Sequence, residues 1–280
     1  MSETTTEAIE LGPDCVLGRL AADPRIGFTG FSAGVLQLMH PAVSAGVLDH
    51  SAFFSDPFDR IYRSIPRIVN SIVAPDSRER AVKVREYHRD IKGTDAHGNR
   101  YHALDPDVYW WTHMTFVWAF LSAADRFHPR PPRGAERERY YAESLEWWSR
   151  YGLSLRPALP DLASFEAEFD RICRDELEWT KAARLSMKVK KIEVAGMSPQ
   201  LNRVLSIPGA PLVRLVLTGG LPAIVRERFD IEWSRLDQVS YDALALSVRT
   251  GGYLVPDEAA TGYGRRLMNK LERTTTLVKE

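Results

Sequence analysis

From Tyr109 to Phe120 the chain reads Tyr-Trp-Trp-Thr-His-Met-Thr-Phe-Val-Trp-Ala-Phe, apolar on almost every face of a helix. A helix that is hydrophobic all round must be buried on all sides, so other elements have to wrap it. Asp105-Pro106 gives it an N-cap and a proline at its first position, and the helix is predicted over residues 105–127. Residues 108–124 come closest to a membrane span, but they stop short of the required length and carry His113. The surroundings read the same way. Period-two alternation is hard to find, whereas helical periodicity recurs from Val16 to the C-terminus. Helices are predicted over 14–22, 32–39, 41–50, 57–73 (with a kink at Pro66), 76–92, 135–151, 161–183, 199–204, 210–219, 222–229, 234–248 and 262–272. The expectation is an all-α fold.

Pro129-Arg-Pro-Pro-Arg-Gly134 could serve as a linker, yet the helices on both sides are equally amphipathic. The expected organisation is therefore one domain over 13–272, between disordered tails at 1–12 and 273–280. Lys plus Arg number 37 and Asp plus Glu 37, for zero net charge. That balance gives no electrostatic footprint for nucleic acid or an anionic membrane. The lysine-rich run Met187–Lys191 reads as a solvated helix end. Only Cys15 and Cys173 are present, far apart, which argues against a disulfide scaffold or a structural zinc site. Residues 2–10 are polar and acidic and do not resemble a signal peptide, so a cytoplasmic protein is expected.

Two histidines stand out. In the predicted helix 76–92, Ala81, Val84 and His88 share one stripe, Gly93 ends the helix, and 94–100 form a polar turn. If the helices on either side pair antiparallel, His88 lies roughly 6 Å before the turn and His113 roughly 12 Å after it, at 1.5 Å per residue. Both imidazoles can then sit in the same or neighbouring layers of a helical core, a geometry that suits a cofactor without establishing one. The alternative is structural: His113 a core residue bonded to a carbonyl or a threonine, His88 a surface or half-buried one. His97 and His102 read as solvated, His40 and His50 as helix ends. On helix 57–73, Arg60, Arg63 and Ser64 lie on one face that leads on to Arg67. Such a face is solvated, or its guanidinium groups pair with carboxylates at a pocket edge. The double tryptophans 110–111 and 147–148 read as core. No HExxH motif, phosphate loop, nucleophile elbow or paired-carboxylate motif is present; Gly30-Phe-Ser-Ala-Gly34 has no preceding strand.

Taken in order, several segments resemble the catalytic domain shared by latex-clearing rubber oxygenases and mpaB-type ER-bound oxygenases. They include Leu36-Gln-Leu-Met-His-Pro-Ala-Val-Ser-Ala-Gly-Val-Leu-Asp-His-Ser51 and Asp56-Pro-Phe-Asp-Arg-Ile-Tyr-Arg-Ser64. Tyr87-His-Arg-Asp-Ile-Lys-Gly93, Gly98-Asn-Arg-Tyr-His-Ala-Leu-Asp-Pro106 and Trp111-Thr-His-Met-Thr115 follow. Leu221-Pro-Ala-Ile-Val-Arg-Glu-Arg-Phe229 and Trp233 complete the set. Order and spacing carry the resemblance more than any single motif.

The resemblance implies a globin-like all-α fold around haem b, with dioxygen as co-substrate and a small or medium apolar organic substrate. Matched residue by residue, His88 takes the place of the proximal iron ligand. Arg60, Arg63 and Ser64 take the places of an arginine, a lysine and a threonine near the haem, and His113 matches a histidine of less clear role. Arg63 is the departure that matters: guanidinium stays protonated and has no lone pair for iron, unlike a lysine amine. Two other readings stay open: a non-catalytic all-α protein, with or without haem, and a non-haem metal enzyme using His88 and His113. No nucleic-acid partner or transmembrane segment is expected, and a homodimer stays open.

Overall fold

The computed structural model describes residues 9–51, 57–188 and 209–277. The fold is all-α, with one small β-hairpin among the described residues. In chain order the helices are α1 (Val16–Ala21), a 3-10 turn (Pro24–Phe28), α2 (Gly30–Leu38), α3 (Pro41–His50), α4 (Pro57–Val73) and α5 (Ser77–Glu86). Beyond the hairpin β1 (Lys92–Thr94) and β2 (Arg100–His102) come α6 (Pro106–Phe127), α7 (Ala135–Arg150), α8 (Leu162–Asp175) and α9 (Lys181–Ser186). The last four are α10 (Gly209–Gly219), α11 (Ala223–Arg228), α12 (Arg235–Gly252) and α13 (Asp257–Leu277).

Helix α6 is the axis. Asp105 caps it by accepting from the Asp107 amide, and Trp110, Trp111, His113, Met114, Val117, Phe120 and Phe127 are all buried along it. It packs against α1, α2, α7, α12 and the 3-10 turn, so every face meets a neighbour. That is the physical consequence of a helix with no polar side. Helix α4 continues through Pro66 and lies along α5 and α13. Among the described residues no single helix is long and apolar enough to cross a membrane; α2 and α3 pass that test only together, and they are bent by 97°.

Several expected boundaries move. Helix α5 stops at Glu86, six residues before the predicted end, so His88 lies beyond it. The His88 amide donates to the Arg85 carbonyl, Arg89 to Glu86 and Ile91 to His88, a run of tight three-residue turns that brings the chain round. The expected polar turn proves to be the tip of a hairpin, with Lys92 opposite His102, Gly93 opposite Tyr101 and Thr94 opposite Arg100. Gly93 is there for the Tyr101 ring: a Cβ would lie 2.9 Å from its hydroxyl. The Asp95 carboxylate orders the tip by accepting from the His97 and Asn99 amides.

His40 is the N-cap residue of α3, so it starts a helix as well as following one. Helix α13 begins five residues before the predicted 262 and continues past 272, so the tail expected at 273–280 begins inside a helix. The helix predicted at 199–204, and Val189 to Lys191 of the basic run, lie outside the described residues.

Candidate functional site

Three helices and one turn converge at the N-terminal half of α6. Tyr109, Trp110 and His113 share one α6 face at spacings of one, three and four residues. Helix α7 and its C-cap supply Trp147, Trp148 and Tyr151 at similar spacings. Ser71 comes from α4, and His88 arrives on the turn after α5.

His88 is half-buried. Its Nδ1 lies 2.8 Å from the Val84 carbonyl oxygen. A carbonyl can only accept, so Nδ1 carries the proton and Nε2 is the basic nitrogen of the neutral ring. The ring meets the edge of Tyr109, centroid to centroid 5.4 Å. Next to it, the guanidinium of Arg67 on α4 lies over the Tyr87 ring at 5.1 Å, so the cationic face of α4 runs beside the turn that holds His88. Arg63 and Ser64, further up the same helix, are half-buried. Arg60 lies on the first turns of α4, and its side chain is outside the described residues.

His113 is a different object. It is 2% exposed and enclosed by Trp147 at 4.6 Å, Trp110 at 5.2 Å in a stacked geometry, Trp148 at 5.4 Å and Tyr151 at 6.2 Å. Neither ring nitrogen has a hydrogen-bond partner among the described residues, and the indole nitrogen of Trp110 has none either. The threonine partner expected for it is not there: the nearby Thr115 hydroxyl donates to the Thr112 carbonyl and accepts from Gln37. The carbonyl partner is represented only by a backbone approach from Ser144 that falls outside hydrogen-bond geometry. Burial pushes the His113 pKa down to about 3, offset in small part by the Ser144 backbone, so the ring is neutral.

Between the two histidines stand Tyr109 and Tyr151, whose rings touch at 5.1 Å. Burial raises both phenols well above the ordinary tyrosine range, which keeps them protonated donors. Ser71 ties the layer to α4. It accepts from the Trp147 indole at 3.0 Å and interacts with the Tyr151 hydroxyl. Tyr109, Tyr151 and Ser71 are not singled out by the sequence; the one available signal is Tyr109 lying a single turn before His113.

The structure thus brings His88, His113 and Arg67 of α4 into one neighbourhood, and the ring contacts that link the two imidazoles run through Tyr109 and Tyr151. No group of three or more His, Cys, Asp or Glu residues suited to a metal ion occurs among the described residues. His97 is exposed and paired with Glu178 at 2.8 Å, and His102 Nδ1 accepts from the Leu104 amide. Two surface concavities lie at the far end of α6, lined by Asp125, Arg126, Arg137, Asp242 and Arg249 among others.

A single imidazole with its proton fixed on Nδ1 suits a one-histidine iron site, as in a b-type haem, because Nε2 is then the donor atom and the carbonyl bond orients the ring. His113 sits differently: it is 2% exposed and packed against three indoles, so a group coordinated there would have to displace those rings.

The architecture defines the class first: an all-α domain built on one central helix with an aromatic core at its N-terminal half. A family model described as the catalytic domain of ER-bound oxygenase mpaB/B′ and rubber oxygenase matches residues 18–250, most of the chain. The chain belongs to that oxygenase family. No curated protein and no solved structure matches it.

Proposed function

We propose that the protein is a haem-b-dependent oxygenase that uses dioxygen on a small or medium apolar organic substrate, with His88 as the iron ligand. The observation that carries this reading is the 2.8 Å bond from His88 Nδ1 to the Val84 carbonyl, which puts the proton on Nδ1 and makes Nε2 the nitrogen that would hold iron. Membership of an oxygenase family supplies the reaction class.

Haem, when bound, supplies the dioxygen chemistry. The chain's own residues supply the rest. Val84 holds the His88 ring in one orientation. Arg63 and Arg60 on α4 offer planar forks suited to propionate carboxylates, and neither can occupy an iron coordination position. The Ser64 hydroxyl is a donor on the same face. Tyr109, Trp110, Trp148 and Tyr151 form an apolar wall that excludes water from the side of α6. An apolar wall with few polar groups selects an apolar substrate.

The test is a titration with haemin followed by the Soret band, in the wild type and in His88→Ala and His113→Ala. The wild type is expected to take up one equivalent, His88→Ala none. His113→Ala should keep its haem and melt at a lower temperature, because it opens a cavity among indoles. A wild type that takes up no haemin sinks the haem reading. Full uptake by His88→Ala sinks the ligand assignment alone.

A further inference from the structure

Helix α12 carries two apolar stripes where a surface helix needs only one. Its inner stripe, Tyr241, Ala245 and Val248, packs towards α6 and α10. Its outer stripe is Leu236, Val239, Ala243, Leu246, Thr250 and Tyr253, spaced by three, four, three, four and three residues, and every one of these is exposed. That is the 3.5-residue repeat of a helix–helix seam. Leu236 is 75% exposed, Leu246 64% and Leu254, which extends the patch, 86%. Six of the ten large exposed hydrophobic residues found among the described residues lie between Leu236 and Val255. Scattered exposed leucines need no explanation, but a continuous stripe in seam register marks an interaction surface.

We propose that this face pairs α12 with the α12 of a second copy of the chain, antiparallel about a two-fold axis. The register argues for that occupant. Centred between Ala243 and Leu246, an antiparallel pair sets Leu236 against Tyr253 of the second copy, Val239 against Thr250, and Ala243 against Leu246. Each layer then matches a larger side chain with a smaller one or fills the end of the seam. The flanking positions agree. Asp242 of one copy falls beside Arg249 of the other, twice by symmetry, and Ser240 beside Ser247. A parallel pair would stack Ala243 on Ala243 and Thr250 on Thr250, and it would place Arg249 beside Leu254 and Asp242 beside Ser247. Charge and size complementarity both favour the antiparallel, self-complementary arrangement.

Asp242 and Arg249 are compatible with this role. The exposed Asp242 carboxylate pairs with Arg126 at 3.2 Å and accepts from the Gln238 amide, which still leaves lone-pair capacity for a second guanidinium, and Arg249 donates one N–H to the Asp125 carbonyl and keeps others. The Tyr253 hydroxyl donates to the Pro129 carbonyl, which fixes the ring at the end of the seam. The groove between α12 and the end of α6, bordered by Ser122, Arg126 and Leu246, gives side chains of the second copy a place to enter. The seam covers only about two and a half heptads, too few for an isolated coiled coil. Here the fold already holds the helix formed, so pairing need not pay for its folding.

The experiment is light scattering on the full chain during gel filtration, together with cysteine cross-linking. The wild type should elute at twice the 31.7 kDa chain mass, and Leu246→Lys at the single mass with an unchanged circular dichroism spectrum. For the register, chains carrying Ala243→Cys and Leu246→Cys should cross-link when mixed and oxidised, and far less when each is oxidised alone. Wild-type chain oxidised alongside controls for Cys15 and Cys173. Efficient cross-linking of Ala243→Cys to itself would replace the antiparallel register with a parallel one and overturn the proposal. So would a wild type that stays monomeric at about 100 μM. If that monomer also floated with phosphatidylcholine vesicles, and Leu246→Lys did not, the face would belong to a lipid surface instead.

Discussion

Acidification should destabilise this protein partly through one identifiable residue, His113. Its folded pKa is about 3 and its ordinary value 6.5, because the ring is 2% exposed and has no charged partner. The unfolded chain therefore binds more protons than the folded one between those two values. Stability from this residue is complete above about pH 6.5 and is lost as the pH falls towards about 3. At pH 5 the unfolded ring is about 1.5 pKa units into protonation, which at 1.36 kcal/mol per unit costs about 2 kcal/mol relative to pH 7. His128 and His40 have lowered values for the same reason, desolvation by burial, so the wild type alone cannot isolate the effect. His113→Phe can. At pH 7 the substitution removes two unpaired buried nitrogens, a gain of about 1–3 kcal/mol, and adds ring volume at a cost of about 1–3 kcal/mol. These two effects oppose each other and neither involves titration, so the change with pH isolates the protonation of His113. Urea unfolding of both proteins, followed by circular dichroism, should show the variant gaining about 2 kcal/mol on the wild type between pH 7 and pH 5. Parallel pH profiles would refute the reasoning, since they require His113 to titrate alike in the folded and unfolded chain.

Arg63 governs the second prediction: the haem-loaded protein should bind added imidazole or cyanide without a slow opening step, because guanidinium cannot occupy the iron, and a low-spin, imidazole-resistant wild-type spectrum would contradict it. Gly264→Ala should lower stability by about 1–3 kcal/mol, since its Cβ would lie 1.8 Å from the Ala22 carbonyl oxygen and must part α13 from the end of α1; an unchanged melting temperature would show that the contact yields freely. Ser71→Ala should cost about 1–2 kcal/mol, because the buried Trp147 indole loses its 3.0 Å acceptor, and thermal melts within half a degree of wild type would count against that bond.

The central helix is legible because nothing competes with a run of twelve mostly apolar residues opened by Asp105-Pro106; only burial on all sides satisfies it. The end of α5 is not. Residues 76–92 contain no glycine or proline, so propensity carries the predicted helix on to Lys92, whereas the chain turns at Tyr87 to bring Lys92 opposite His102. A hairpin of three-residue strands is too short for period-two alternation to register. Gly93, read as a helix stop, answers to the Tyr101 ring across the ladder. Both ends of α13 escape the pattern for a related reason: its polar early and late turns are held by contacts from elsewhere, such as Asn70 and Arg80 reaching Glu272, and periodicity does not record those.

The site divides along the same line. His88 and His113 are visible as residues of interest, and their opposed environments are not, because those environments come from α4 and α7. The approach of Ser144 to His113, or of Ser71 to Tyr151, joins segments with no sequence signal linking them. The environments nonetheless decide what each imidazole can do. A ring covered by two indoles, with its neighbours Tyr109 and Tyr151 filling the way to His88, can offer a lone pair only to something small enough to enter a closed aromatic box. A half-buried ring whose Nδ1 is fixed to a main-chain carbonyl presents Nε2 in a set direction. Tyr109 packs against the α6 side of that ring, so a group held by His88 as proposed would approach from elsewhere. The neighbouring helix on another side is α4, and Arg63, Ser64 and Arg67 lie along it. The cationic face of α4 and the tautomer of His88 therefore make one argument. Substituting Arg67, whose guanidinium covers Tyr87 beside His88, should change the affinity for haemin even though Arg67 matches no family motif. Arg67→Ala with unaltered haemin affinity would place the group away from α4 and break that link.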